Sequence, residues 1–346
     1  MILVTGAAGL IGSSAVAHFS KQGEYVLGID NNSRKEFFGP QGDISRNLQL
    51  LKSNHTNFVN FEIDICDYSS LLAIFEKYKP SIIIHTAAQP SHDRAAAIPL
   101  RDFEVNALGT LNLLEATRLK TPNATFIHLS TNKVYGDGPN RINLSESRLR
   151  FDFEDLKYLN GIDEDFPIDH SMHSLFGASK LAADIYAQEY GRYFGLNVGV
   201  FRGGCLTGPT HAGVELHGFL SHLVKTAVKS NRYTVFGYSG KQVRDQIHSV
   251  DVIKAFESFI LNPRPGEVYN LGGGKSNSAS ILEIVRMVSQ KIQREISLEF
   301  TEYPRKGDHI CYYSNIEKFQ SHYPDFYISK NLNSIIDEMI EFEIAS

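Results

Sequence analysis

The stretch Ser171-Met-His-Ser-Leu-Phe-Gly-Ala-Ser-Lys180 brings together residue types that could do chemistry. Read as the opening of a helix that continues past Tyr186, it stacks Phe176 and Lys180 on one face, because positions four apart are neighbours. His173 is then expected one turn earlier on that face. A lysine on a mostly apolar helix is either solvated or held beside a group that uses its charge. A histidine at that place has a suitable pKa for proton transfer. A second constellation is Thr131-Asn132-Lys133-Val134-Tyr135-Gly136, which runs directly out of the apolar segment Thr125–Ser130. Hydroxyls at the carboxyl end of a parallel strand stand where open α/β sheets place their ligands.

The elements that must position these residues alternate between strand and helix patterns through the first half of the chain, the signature of a parallel sheet. Ile2–Val4 reads as a short buried strand. It enters Gly6-Ala-Ala-Gly9-Leu10-Ile11-Gly12, and a helix follows to about Gln22. Tyr25–Ile29 is the next strand and ends in Asp30. Glycines at a strand-to-helix turn let the backbone approach a pyrophosphate, and the helix N-terminus favours its charge. An acid about 20 residues further on can bind a ribose 2′-hydroxyl. Asp30 would repel a 2′-phosphate, so NAD is expected over NADP, with Arg34 able to soften that preference. Asn57–Ile63 leads to Asp64, which reads equally as an adenine neighbour or a plain turn residue. Ser81–His85 is a buried strand followed by the small residues Thr86, Ala87 and Ala88, then Gln89. A long helix from Asp102 to Leu119 carries Asn106.

Length and composition bound the rest. The 346 residues suit one large or two medium domains, and 42% hydrophobic with 21% charged residues fits a globular chain. A net charge of −5 supplies no basic field for nucleic acid. Cys66, Cys205 and Cys311 lie far apart without ligand spacing, which implies a reducing, cytoplasmic setting. No run of about 18 apolar residues is present to cross a membrane, and the apolar start lacks a basic flank, so a buried strand is expected there rather than a signal peptide.

Taken together, Gly6–Gly12, Asp30, Ala87-Ala88, Asn106, Ser130-Thr131, Val134-Tyr135-Gly136, the Lys180 helix and Arg244-Asp245 with His248 and Asp251 resemble the extended short-chain dehydrogenase/reductase family of nucleotide-sugar enzymes. The resemblance covers nearly the whole chain. Asp30–Lys35, Ser130–Asp137, His173-Ser174 and Gly240–Asp245 look most like its CDP-sugar 2-epimerases. The resemblance implies a Rossmann-type doubly wound α/β domain with a smaller, discontinuous substrate domain. Boundaries are expected at 1–202, rejoined by about 241–275, for the first, and 203–240 with 276–346 for the second. It implies NAD held by Gly6, Gly9, Leu10, Ile11, Gly12, Asp30, Asn31, Asn32, Ser33, Arg34, Asp64, Ile65, Ala87, Ala88, Gln89, Asn106 and Lys180. It implies a nucleotide-diphosphate sugar, CDP-linked by preference, contacted by Asn132, Lys133, His217, Arg244 and Arg305. The chemistry it implies is transient oxidation to a keto-sugar with return of hydride to the other face. Thr131 helps hold the reacting oxygen, and Lys180 binds the nicotinamide ribose.

The sequence departs from that family where a tyrosine four residues before the lysine acts as the base: Phe176 stands there and has no proton to move. Loss of a general base costs about 10²–10⁴-fold in rate. Three accounts follow: an introduced tyrosine-to-phenylalanine change, a natural site that recruits His173, Lys133 or Tyr135, or a chain that binds its ligands with little turnover. Related 4,6-dehydratases carry an Asp-Glu pair after the threonine. Asn132-Lys133 has no acid to protonate a leaving hydroxyl, so dehydration is disfavoured and epimerisation is not. Net reduction or oxidation of the sugar with released cofactor is the remaining redox reading.

Elsewhere, Arg141–His170 is rich in acids and reads as a solvated irregular loop. His211, Glu215 and His217 lack the helical spacing that zinc sites favour, so no metal is expected. Arg244 can meet phosphate with its planar fork, the alternative being a salt bridge with Asp245. Asn315 stands where the family usually has an acid. The helices at 102–119 and 176–194 have apolar faces beyond what one sheet needs, which suggests a homodimer or higher homo-oligomer.

Overall fold

The computed structural model describes residues 1–211, 213–214, 218–304 and 307–345. Its strands are β1 Ile2–Thr5, β2 Val26–Ile29, β3 Phe58–Phe61, β4 Ile82–His85, β5 Thr125–Thr131, β6 Leu144–Glu146, β7 Phe151–Phe153, β8 Asn197–Gly203, β9 Cys205–Thr207, β10 Tyr233–Phe236, β11 Val243–His248, β12 Glu267–Leu271, β13 Ser278–Ser280, β14 Leu298–Thr301 and β15 Cys311–Tyr312. Seven of them form one sheet in the order β12-β8-β5-β4-β1-β2-β3. The pairs β1–β2, β2–β3, β1–β4 and β4–β5 are parallel. Strand order reverses beside β1, and in such sheets ligands sit at the carboxyl ends around the reversal. Gly6, Asp30, Thr86 and Thr131 all lie at or just beyond those ends. The doubly wound, Rossmann-type α/β fold expected from the sequence is the fold observed.

Contacts divide the chain into two units. The first comprises Met1–Val134, Leu175–Arg202 and Val252–Tyr269, and the second Tyr135–Ser174, Gly203–Asp251 and Asn270–Ser346. The second thus takes in Tyr135–Ser174, a segment that the sequence analysis assigned to 1–202. Leu3, Leu27, Ile83, Phe126, Val198 and Val200 are fully buried or nearly so in the first core. Leu223, Val224, Ile284, Val288, Ile335 and Ile336 build the second.

Three local structures differ from the sequence reading. The helix expected over Asp102–Leu119 begins at Pro99 as Pro99–Phe103, widens into a π-helical turn at Glu104–Leu108, and resumes as Gly109–Lys120. Such turns interrupt α-helices by one inserted residue and recur at functional sites. The lysine helix is Ser174–Phe194, not one opening at Ser171. Ser174 has φ +60°, so the chain cannot be helical through it, and His173 does not share a helical face with Phe176. Arg141–His170 is not a solvated loop. β6 and β7 pair as an antiparallel hairpin, Phe153, Ile162 and Phe166 are buried, and Asp152 accepts the Tyr313 hydroxyl at 2.7 Å. Its acids are not all solvated: Glu164 accepts the Asn270 N–H at 2.6 Å, in a segment anchored by aromatic and aliphatic side chains.

Candidate active site

The cofactor-type cradle lies in the first unit. The Leu10–Lys21 helix is capped by Gly9 without a side-chain hydrogen bond, so its first-turn N–H groups are left for an external acceptor. Gly6 has φ +66°, and a Cβ on Gly12 would stand 2.0 Å from the Gly6 carbonyl oxygen. Only glycine at both positions lets strand, turn and helix close this tightly. Asp30 accepts the Ala8 and Asn32 N–H groups, each at 2.9 Å. Burial raises its pKa against those two bonds. Asn31 donates to Asp64 at 3.4 Å and also accepts from the N–H and hydroxyl of Ser33. Asp64 is further engaged by Arg101 and by the Cys66 N–H. Arg34 lies 4.8 Å over the Phe38 ring, and burial brings its pKa down to about 10. Ile65 is buried against Gly109. A glycine turn with an uncapped helix N-terminus and a carboxylate beside it fits a dinucleotide.

A second cluster in the same unit surrounds Lys180. The lysine is 3% exposed and donates to the Leu129 carbonyl at 2.8 Å. Burial lowers its pKa to about 8, partly opposed by the charges of Asp184 and Asp102. Thr131 ends β5, and its hydroxyl oxygen accepts the Lys133 N–H at 3.2 Å. Asn132 is buried, with its side-chain oxygen 3.4 Å from that hydroxyl. Phe176 is buried and meets the His92 ring edge to face, centroids 5.1 Å apart.

A closed polar circuit holds these two rings together. Gln89 donates to the Ser91 carbonyl at 2.9 Å and accepts the Ser91 N–H at 2.8 Å, which fixes the start of the His92–Ala97 helix. The same amide donates to Asp102 at 2.7 Å. Asp102 also accepts the Ser179 hydroxyl at 2.6 Å, one turn from Phe176. Asn106, on the π turn, joins the Gln89 backbone, Asp102 and Ser179. Gln89, Asp102, Asn106 and Ser179 are all buried.

Ala87 sits where a Cβ on Gly6 would approach its N–H to 2.9 Å, and Ala88 follows it. In the second unit, Tyr135 is fully buried and donates to Asn270 at 2.8 Å, so it is no candidate base. His173 has its Nε2 3.3 Å from the Ser171 hydroxyl. Arg244 is buried and paired with Asp308 and the His309 carbonyl. Its partner is therefore Asp308 and not Asp245, which accepts the Ser314 and Gly274 N–H groups. His217 and Arg305, expected to contact substrate, lie outside the described residues. Among the described residues no cluster of three His, Cys, Asp or Glu could hold a metal, and no helix is long and apolar enough to cross a membrane. Sequence reasoning missed His92, Ser179 and Asp184. The available signal was the titratable pair His92-Asp93 just beyond the small residues that follow β4.

A family model described as the NAD dependent epimerase/dehydratase family matches residues 2–272. The chain is 34% identical over 325 residues to CDP-paratose 2-epimerase of Salmonella typhi, covering 92% of this chain and 91% of that protein. It is 30% identical over 320 residues to dTDP-glucose 4,6-dehydratase of Salmonella typhimurium, covering 90% and 81%. UDP-glucose 4-epimerase of Thermus thermophilus, solved in complex with NAD, shares the fold with a TM-score of 0.80 at 23% identity, covering 100% and 99%.

Proposed function

The chain belongs to the NAD dependent epimerase/dehydratase family, and from that premise we propose that it epimerises a nucleotide-linked sugar, with C2 of a CDP-sugar as the reacting centre. Its cofactor is NAD, which when bound accepts a hydride from a sugar carbon and gives it back. The rest falls to the protein. Thr131 orients the hydroxyl that is to become a carbonyl. The Lys180 ammonium holds the ribose and supplies positive charge beside the reacting oxygen. Asn132 and Lys133 offer no carboxylic acid to expel water. That missing acid pair is the observation that favours epimerisation over the dehydration carried out by the 30% identical relative. CDP and C2 draw their support from the 34% identical relative.

Phe176 supports a second reading, in which the chain binds both ligands and turns over slowly. One experiment separates the two. The purified chain is given CDP-, GDP- and UDP-sugars in D₂O with no NAD added. The epimerase reading expects an inverted product without solvent deuterium at the inverted carbon. Deuterium there, a need for stoichiometric external NAD, or no product from any sugar overturns it.

Exposed apolar side chains on the two helices, Leu100, Phe103, Leu108 and Leu119 with Ile185, Tyr186, Tyr193 and Phe194, support a homodimer through these faces, checked by sedimentation of Leu100→Glu with Tyr193→Glu.

A further inference from the structure

We propose that His92 is the proton acceptor of this site, taking over the part that Phe176 cannot play; the inference rests on the epimerase reading above. The chemistry demands a base. As the sugar carbon loses its hydride to the cofactor, the attached hydroxyl must lose its proton while the C–O single bond becomes C=O. The proton passes to an imidazole nitrogen of His92 and comes back when hydride returns, so the cycle closes without a net acid or base. Of the bases considered from the sequence, Tyr135 is buried on Asn270, His173 has its ring against the Ser171 hydroxyl, and Lys133 is of a type ordinarily protonated at neutral pH. His92 is half-buried and lies against the Phe176 ring itself.

Its placement is built rather than incidental. The segment that carries His92 leaves the carboxyl end of β4, beside β1 and β5, whose ends carry the glycine turn and Thr131. Gln89 clamps Ser91 from both sides and reaches Asp102, and Asp102 takes the Ser179 hydroxyl. Ser179 in turn lies within 3.0 Å of the Phe176 carbonyl. Buried hydrogen bonds thus run from the turn that bears His92 through Gln89 and Asp102 to Ser179, on the helix that carries Phe176. A phenyl ring there serves as a wall for the imidazole, a role tyrosine would also fill while adding its own hydroxyl.

The test uses the nucleotide sugar that the unaltered chain inverts fastest in the panel above, with three proteins: His92→Gln, Phe176→Tyr, and the two changes together. NAD retained after purification shows that each is folded. His92→Gln is expected to lose about 10²–10⁴-fold in kcat with KM unchanged. The double variant is expected to recover most of that loss, because the phenol supplies the missing base. Undiminished turnover in His92→Gln overturns the inference and leaves the epimerase reading standing. A loss expressed in KM, or one that Phe176→Tyr does not rescue, assigns His92 to structure and also overturns it. Absence of inversion by the unaltered chain on every sugar overturns inference and reading together.

Discussion

The Arg202 guanidinium meets the Asp184 carboxylate through two hydrogen bonds, Nε to Oδ2 at 3.1 Å and Nη2 to Oδ1 at 3.0 Å. Asp184 is fully buried one helical turn beyond Lys180, and it also accepts from Ser130 and Gln188, each at 2.6 Å. It thereby ties β5, β8 and the lysine helix at one point. Removing one partner strands the other charge in the interior. Asp184→Ala is expected to destabilise the fold by about 3–5 kcal/mol, read as a lower urea midpoint at unchanged slope. An unshifted midpoint would show that the pair contributes nothing net.

The Lys180 ammonium has its pKa brought down to about 8, below its usual 10.5. It is therefore charged below pH 8 and neutral above it. Turnover, and the fraction of NAD kept through gel filtration, should fall as pH rises through 8. Lys180→Met should lose both at every pH. A flat profile up to pH 10 would contradict a working ammonium.

His85 and His128 lie side by side in the core on paired positions of β4 and β5, their rings tilted by 33° with centroids 5.4 Å apart. Thr110 donates its hydroxyl to the Asn106 carbonyl, so His85 Nε2 donates to Thr110, and Nδ1 accepts from Thr5. Burial holds the His85 pKa down at about 3 and pushes His128 well below its usual value. Both are neutral in the fold and charge readily when unfolded. Their stabilisation is full above pH 6.5 and is lost as pH falls from 6.5 towards 3. The expected slope is about 1.4 kcal/mol per pH unit for each histidine. Urea unfolding at pH 5 and pH 7 checks this, and equal stabilities would refute it.

Gly12→Ala should cost about 1–3 kcal/mol, because the new methyl meets backbone that no rotamer change can clear. NAD released on denaturing the purified variant should fall sharply. Full NAD content with unaltered stability would contradict the tight closure.

What the sequence made legible was local. The glycine turn, Asp30 and the strand ends declare themselves within a few residues, because backbone geometry and periodicity set them. The rest depends on contacts across the chain. Nothing near Asp102 announces that Gln89 and Ser179 will reach it. The count of acids in Arg141–His170 hid the spacing of Phe151 and Phe153, which builds the hairpin. Reading a helix from Ser171 misplaced His173 because Ser174 adopts a left-handed conformation that serine gives no reason to expect. Arg244 was read by its charge, whereas its partner, Asp308, lies far along the chain.

The wide turn at Glu104–Leu108 sets a limit on how this gene can vary in length. Gly109 N–H bonds back to Glu104 rather than to Val105, so one residue more than a regular helix occupies the stretch. Deleting one residue there would remove the widening and leave the flanks in phase, whereas a further residue would turn one flank by about 100° against the other. Either Asp102 would leave its clamp, or Leu113 and Leu114 would leave the core. Insertions should therefore be selected against at this point more strongly than most changes of residue type.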